Sequence, residues 1–225
     1  MAEPSARERL ADAAFGLFDE RGYEPTTVDE IAERAGVGRT TFFRHYRSKE
    51  EVIFPDHDEL LLLVQQRLTV STAETAIVAV TDAVRLVMLR YLEEGDRARR
   101  RYALTSANPT LRDREIASVA RYQRLFREFI VDWMGPGHES ALRAELMAAA
   151  VVSAHNHVLR RWLRQESTDP IGELDAAMAS AIALFSPPDA VGADAESTVV
   201  IVPAKGSPAQ IAARVRRALN SPGLT

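Results

Sequence analysis

The chain has 225 residues, of which 46% are hydrophobic and 27% are charged, and its formal net charge is −4. This balance is typical of a globular protein, and it excludes a disordered, collagen-like or low-complexity chain. Because cysteine is absent, the protein has no disulfide, no thiolate nucleophile and no zinc or iron–sulfur site held by cysteine.

Helical periodicity dominates most of the chain. Apolar residues recur at steps of three and four, strand-like alternation is nearly absent before position 197, and glycine or proline separates the segments. The first predicted helix ends at Gly22, which suits a left-handed helix end. Thr27 and Glu30 form a capping box that opens a short second helix, and a third helix is predicted from Gly38 to Tyr46.

The next segment predicts a helix with a break. Ser48 and Glu51 form another capping box, so a fourth helix is expected to start at Ser48. Pro55 interrupts this helix and Asp56 can cap a restart, which predicts a kink. Five further helices are predicted at Ile77–Tyr91, Asp96–Ser106, Thr110–Met134, Glu139–Gln165 and Ile171–Phe185.

The character of the sequence changes after Pro188. A linker of small residues leads to an apolar, strand-like run from Thr198 to Val202 and then to a basic helix over residues 208–219. The longest uncharged stretches, such as Leu146–Leu159, are shorter than the roughly 20 residues that a bilayer-spanning helix needs. We therefore expect no membrane partner and a cytoplasmic location.

The second and third helices have the layout of a helix-turn-helix, because two short helices are joined by a tight turn near Gly36. Residues 36–49 hold four Arg or Lys residues and no Asp or Glu, although the whole chain is acidic. Local positive charge of this kind faces DNA phosphates, but it also occurs on ordinary solvated helix faces. Charge alone leaves the two interpretations open.

The sequence pattern favours DNA binding. Residues 27–50 read TVDEIAERAGVGRTTFFRHYRSKE, and this run strongly resembles the DNA-binding domain of TetR/AcrR-type transcriptional regulators over roughly residues 6–53. The resemblance implies an all-α protein with a three-helix DNA-binding head, a helical body, no cofactor and no enzymatic activity. It implies a homodimer that binds a double-stranded DNA operator, as a repressor, and a small-molecule effector that alters this binding.

We expect three parts: a helix-turn-helix DNA-binding domain over residues 1–48, an effector-binding and dimerisation domain over 49–187, and a C-terminal strand-helix extension over 188–225. The resemblance places Thr27 and Lys49 at phosphates, and Arg39 and Thr40 at base edges in the major groove. Phe43 stands where the family often has tyrosine, so a hydroxyl contact is missing. The predicted DNA-binding residues are Thr27, Gly38, Arg39, Thr40, Thr41, Phe43, Arg44, His45 and Lys49.

The body carries nine arginines over residues 97–127 against Asp113 and Glu115. One hypothesis is an anionic amphipathic effector such as an acyl-CoA, with its charge on arginine and its apolar part among aromatic side chains. The alternative, which we favour, is that the arginines pair with acidic residues and the aromatic residues are ordinary core. The candidate effector-binding residues are Val84, Met88, Tyr91, Arg101, Tyr122, Phe126 and Phe129.

The last two body helices are rich in alanine, which allows close approach of helices and predicts a four-helix dimer interface. The candidate interface residues are Ala144, Ala148, Val152, Ala177, Ala181, Ile182 and Phe185. No metal site is expected, because His155 and His157 are two apart and face different sides of a helix. A helical enzyme, or an adaptor whose basic helix contacts an acidic protein, is the alternative function.

Overall fold

The computed structural model describes residues 4–72, 75–135 and 137–185, and within these residues the fold is all-α. The helices are α1 Ala6–Arg21, α2 Val28–Arg34, α3 Arg39–His45, α4 His57–Thr69, α5 Ala76–Glu94, α6 Asp96–Ala107, α7 Pro109–Met134, α8 His138–Leu163 and α9 Pro170–Ala183, with one 3₁₀ turn at Glu50–Val52. The predicted strand Thr198–Val202 and the predicted helix 208–219 lie outside the described residues.

Local capping fixes the ends of the first two helices. The Ser5 side chain accepts the Glu8 amide at 3.2 Å, and the Glu8 carboxylate accepts the Ser5 amide at 2.7 Å. Thr27 and Glu30 make the same reciprocal pair at α2, as predicted. Each such cap stabilises its helix by about 1 kcal/mol. Gly22, with a φ of +90°, ends α1 in a conformation that favours glycine.

The prediction that a fourth helix starts at Ser48 is wrong. The Glu51 carboxylate accepts the amide of Arg47 instead of closing a capping box with Ser48, and only the 3₁₀ turn forms. Helix α4 begins at His57, where the Asp56 side chain caps it. Pro55 has no amide hydrogen and disfavours helical geometry in the residue before it. The break is therefore a complete interruption and not a kink.

Two hydrophobic cores form. The head core combines α1, α2 and α3 with the turn that follows them, and its fully buried members include Leu10, Phe15, Ile31, Phe42 and Ile53. It extends past the predicted domain end at residue 48 as far as Phe54. The body core combines α4, α5, α7, α8 and α9 with Ala98 of α6.

Leu111 connects the two parts, because this residue of α7 is fully buried in the head core. Further contacts join α6 and the start of α7 to the head. The ion pairs Arg97–Asp12 and Arg100–Asp19 reach α1, and the Asn108 side chain donates to Glu24 at 2.9 Å. The head therefore packs against the junction of α6 and α7.

Candidate DNA-binding surface and effector cavity

Helix α3 presents a polar and basic face on a rigid base. Phe42 is fully buried, and its ring centroid lies 5.8 Å from that of Tyr46, which is also buried. The opposite face exposes Arg39, Thr40, Phe43 and Arg44, while Thr41 and His45 are half-buried and Gly38 is the N-cap residue. Because the buried side fixes the helix rotation, the exposed side chains project from one defined surface.

The guanidinium of Arg39 is held by two neighbours. It pairs with the Asp29 carboxylate of α2 at 2.6 Å, and it lies 5.1 Å from the centroid of the Phe43 ring. Both partners of the ion pair are exposed, so the pair is worth at most about 1 kcal/mol. A DNA base or phosphate can therefore replace Asp29 at little cost, while Phe43 keeps the guanidinium near the tip of α3.

Lys49 and Thr27 are both engaged within the head. The Lys49 ammonium donates to the carbonyls of Tyr23 at 2.8 Å and Thr26 at 2.9 Å, and it lies 4.0 Å from the Tyr23 ring centroid. The Thr27 hydroxyl donates to Glu30 at 2.6 Å. Lys49 therefore fastens the loop between α1 and α2.

All four arginines of α6, and Arg121 of α7, form ion pairs, as the favoured alternative predicts for them. Their ion pairs are Arg97–Asp12, Arg99–Asp96, Arg100–Asp19, Arg101–Glu94 and Arg121–Asp58. Arg101 is only 5% exposed, and its guanidinium also donates to the carbonyl of Ile53 at 3.2 Å. Arg101 thus ties α6 to the head and is not available to an effector.

A cavity of about 40 Å³ lies inside the body between α4, α5, α7 and α8. This volume has room for about three water molecules. Four of the predicted effector residues line it: Val84, Tyr91, Tyr122 and Phe126. The other lining residues are His57, Val87, Glu115, Val119, Val152, His155 and Asn156. The other three predicted residues, Met88, Arg101 and Phe129, are not among the lining residues.

Two histidines are among the polar residues that line this mainly apolar cavity. His57 Nδ1 lies 3.2 Å from the Tyr122 hydroxyl, and His155 Nδ1 lies 3.2 Å from Asn156 Oδ1. Burial lowers the pKa of both imidazoles to about 4, with the charges of Arg101 on His57 and Arg160 on His155 acting in the same direction. Both rings are therefore neutral near neutral pH.

Sequence reasoning missed the two histidines as cavity residues. Neither His57 nor His155 is among the predicted effector-binding residues, and from the sequence His155 is considered only as a metal ligand. The signal that could have found His155 is its position among the apolar residues of α8, between Val152 and Val158. His155 is buried and His157 is exposed, so the expectation that they face different sides is confirmed.

Two family models match the chain. The model for bacterial regulatory proteins of the tetR family covers residues 10–54. The model for the MftR C-terminal domain covers residues 74–186, which are 113 of the 225 residues. The chain belongs to the TetR family. It is therefore a DNA-binding transcriptional regulator that responds to a ligand, and regulators of this family act as dimers.

Relatives span most of this TetR-family chain. TcmR of Streptomyces glaucescens is 31% identical over 189 residues, which cover 80% of this chain and 83% of TcmR. The transcriptional regulator MftR of Mycobacterium tuberculosis is 26% identical over 172 residues, covering 75% of this chain and 85% of MftR. The similarity thus includes the body as well as the head.

Solved structures share the fold. NalD of Pseudomonas aeruginosa superposes with a TM-score of 0.56 at 18% identity, covering 79% of this chain and 94% of NalD. FadR of Bacillus halodurans superposes with a TM-score of 0.56 at 16% identity, covering 80% of this chain and 96% of FadR. Among the described residues of this TetR-family protein, no helix combines the length and hydropathy needed to cross a membrane.

The predicted dimer interface of this TetR-family protein needs correction. Ala144, Ala148, Val152 and Ala181 are buried within the protomer, where α8 and α9 pack on the body core, so they cannot face a partner. Ala177, Ile182 and Phe185 are half-buried against the same core. The sequence pattern identified alanine-rich helices but assigned the core-facing side to the partner.

The outward side of the same two helices carries exposed apolar residues. Leu142 and Leu146 of α8 are 55% and 53% exposed, and Leu184, just after α9, is also exposed. The Arg143 guanidinium donates to the carbonyl of Phe185, which brings the start of α8 next to the end of α9. Small exposed residues continue this surface along α9 at Gly172, Ala176, Ala179 and Ala183.

Proposed function

We propose that this TetR-family regulator is a repressor that binds a palindromic operator as a homodimer in the cytoplasm and is released by a small-molecule effector. The observation that carries the proposal is the exposed face of α3, which holds Arg39, Thr40, Phe43 and Arg44 over the buried ring of Phe42. A face of this size and charge fits the major groove of duplex DNA.

The roles of the head residues follow from their exposure. We assign base contacts to Arg39 and Thr40, which lie at the start of α3 and are exposed. Phe43 packs against sugars or thymine methyl groups, and Arg44 contacts phosphate.

Other residues of the head support these contacts. The approach of α3 to the groove is supported at its N-cap by Gly38 and at its flanks by Thr41 and His45. Thr27 flanks the groove with its exposed side chain, and we assign Lys49 to the integrity of the head because three carbonyls hold its ammonium.

Dimerisation follows from the outward face of α8 and α9. One helix-turn-helix makes too few contacts for useful specificity, so two heads must read half-sites about one helical turn apart. We propose that Leu142, Leu146 and the small residues of α9 meet their two-fold mates in a four-helix interface. The small side chains allow close helix approach, and the leucines bury the apolar area that an isologous interface requires.

We place the effector in the body cavity. Its wall includes Glu115 and Val119 of α7, and the same helix carries Leu111 into the head core. A ligand that widens the cavity therefore changes the position of a helix on which the head rests, and a ligand with different affinity for the two states shifts their populations. SmeT, with which this chain shares the fold at 18% identity, forms a complex with triclosan.

The proposal is tested by electrophoretic mobility shift with the purified full chain and the duplex upstream of its own gene. We expect a retarded complex whose affinity falls steeply as salt rises, because phosphate contacts release counterions. A scrambled duplex of equal length is the matched control. Binding of both duplexes with equal affinity, or retardation of neither, contradicts operator recognition and favours an adaptor function.

A further inference from the structure

Two histidines that line the body cavity each have a ring nitrogen without a hydrogen bond. Among the described residues, neither His57 Nε2 nor His155 Nε2 has a partner, and both atoms are buried. His155 is 8% exposed, and its ring lines a cavity whose other walls are mostly aliphatic and aromatic. A buried polar atom without a partner costs about 1–3 kcal/mol, so a ligand that supplies the partner gains free energy there.

The hydrogen bond on the other side of the His155 ring indicates what that partner must be. His155 Nδ1 lies 3.2 Å from Asn156 Oδ1, and an amide oxygen only accepts hydrogen bonds. With Asn156 in this orientation the proton lies on Nδ1 and Nε2 is a bare acceptor. Because burial keeps the imidazole neutral, Nε2 requires a ligand that donates an O–H or N–H group.

The charges around the cavity argue against an ionic ligand. Among the described residues that line it, Glu115 is the single charged side chain, so a carboxylate or phosphate would meet repulsion and no cation. Arg101, the cationic candidate from the sequence, is already paired with Glu94. A cation would pass Arg112 and Arg160, which line the groove outside the cavity. Burying an unpaired charge is costly, so a neutral molecule is favoured.

The cavity has an adjacent outer chamber. A surface groove of about 390 Å³ lies between α6, α7 and α8, and Glu115, Val119 and Asn156 line both the groove and the cavity. These three residues therefore lie between the two spaces. The groove adds Tyr102, Ile116 and Leu159 as apolar surface. Its volume is within the range of small-molecule sites, whereas the inner cavity alone is too small for one.

We propose that the effector is an uncharged, mainly apolar ring compound that carries a hydroxyl group. Its hydroxyl enters the inner cavity and donates to His155 Nε2, while its rings occupy the space opened between Glu115, Val119 and Asn156 and extend into the outer groove. This assignment depends on the proposed function, because it names the chemical class of the ligand that releases the repressor.

The test uses four matched probes with the purified full chain in isothermal titration: 2-naphthol, 2-methoxynaphthalene, naphthalene and 2-naphthoate. The first donates a hydrogen bond, the second has the oxygen without the proton, the third has neither, and the fourth is an anion. We expect 2-naphthol to bind about 5- to 10-fold more tightly than the two neutral analogues, the effect of one hydrogen bond. We expect 2-naphthoate to bind more weakly than naphthalene.

His155→Phe keeps a ring in place of the acceptor and should remove the preference for 2-naphthol over naphthalene. His157→Phe, on the exposed side of the same helix, is the control and should retain it. The comparison of 2-naphthol with 2-methoxynaphthalene uses the parent protein alone, so the test remains decisive if His155→Phe does not fold. Equal affinities for 2-naphthol and 2-methoxynaphthalene, tighter binding of 2-naphthoate, or no binding of 2-naphthol overturns the assignment.

The mobility shift without any probe separates this inference from the proposed function. If the chain retards its upstream duplex but 2-naphthol shows no preference, the ligand class is wrong and repression stands. If the duplex is not retarded while 2-naphthol binds through His155, the ligand class stands and operator binding is wrong. Release of the duplex by 2-naphthol, lost in His155→Phe and kept in His157→Phe, supports both.

Discussion

Leu111 and Val119 lie about two turns apart on α7, the first fully buried in the head core and the second in the wall of the body cavity. One continuous helix thus touches both functional parts of the molecule. Because helices are stiff over this length, movement of the cavity wall is transmitted to the packing of the head.

Leu111→Ala should loosen the head and leave the body intact. Truncation of a fully buried leucine costs about 2–5 kcal/mol, and here the cavity opens in the head core. We expect faster amide hydrogen exchange in α1 to α3 and unchanged exchange in α8 and α9, measured by mass spectrometry. Ile116→Ala, an exposed position on the same helix, is the control. Equal acceleration in both parts would show that α7 does not serve the head specifically.

Arg39→Ala should reduce sequence preference more than general affinity for DNA. A bidentate contact to a base contributes about 1–3 kcal/mol of discrimination, so affinity for the operator should fall about 10- to 100-fold while affinity for scrambled DNA changes little. Fluorescence anisotropy with both duplexes measures the two effects. Arg90→Ala, an exposed arginine of α5, is the control. Equal losses on both duplexes would assign Arg39 to phosphate contact alone.

Lys49→Ala should destabilise the head instead of changing the salt dependence of DNA binding. The substitution leaves the carbonyls of Tyr23 and Thr26 without their charged donor and removes the cation–π contact, a loss of about 1–3 kcal/mol. Urea denaturation should show a lower midpoint, and the slope of affinity against salt should stay as in the parent. A reduced slope with unchanged stability would assign Lys49 to a DNA phosphate.

Leu146→Glu should produce folded monomers that lose specific operator binding. Leu146 is exposed on the outward face of α8, so the new carboxylate is tolerated in the protomer but is buried in the proposed interface. Sedimentation equilibrium measures the oligomeric state. Ala148→Glu is the contrasting variant: Ala148 is 0% exposed, so a charge there should unfold the body. A dimeric Leu146→Glu protein would place the interface elsewhere.

Acid should destabilise the protein through its two buried histidines. His57 and His155 have a pKa of about 4 in the folded chain, against about 6.5 when unfolded, so below about pH 6.5 the unfolded state binds more protons. Their contribution is complete above about pH 6.5 and is lost as the pH falls toward 4, at about 1.4 kcal/mol per pH unit for each histidine.

Urea denaturation at a fixed protein concentration, repeated at about pH 7 and about pH 5, measures this loss. His155→Phe should reduce the pH dependence of the free energy of unfolding by about the contribution of one histidine. His157→Phe should leave this pH dependence unchanged because His157 is exposed. The same pH dependence in the parent and in His155→Phe would mean that His155 is already protonated in the folded state.

Local signals in the sequence were sufficient for most of the helices and for the exposed face of α3. The capping box of Thr27 and Glu30 and the glycine at position 22 fix helix ends through contacts within a few residues. The exposed side of α3 follows from the spacing of Phe42 and Tyr46. The helix start predicted from Ser48 and Glu51 is wrong, because the effect of Pro55 and the burial of Ile53 outweigh the capping pattern.

The sequence by itself determined the all-α class, the helix-turn-helix and the family, since all three depend on residues close together along the chain. Only the tertiary structure decided that Arg101 pairs with Glu94 and reaches Ile53, that His155 lines a cavity opposite His57, and that Ala148 faces inward while Leu146 faces outward. Each of these depends on which surfaces of distant helices meet, and a periodic pattern gives a helix an apolar side without stating what will cover it.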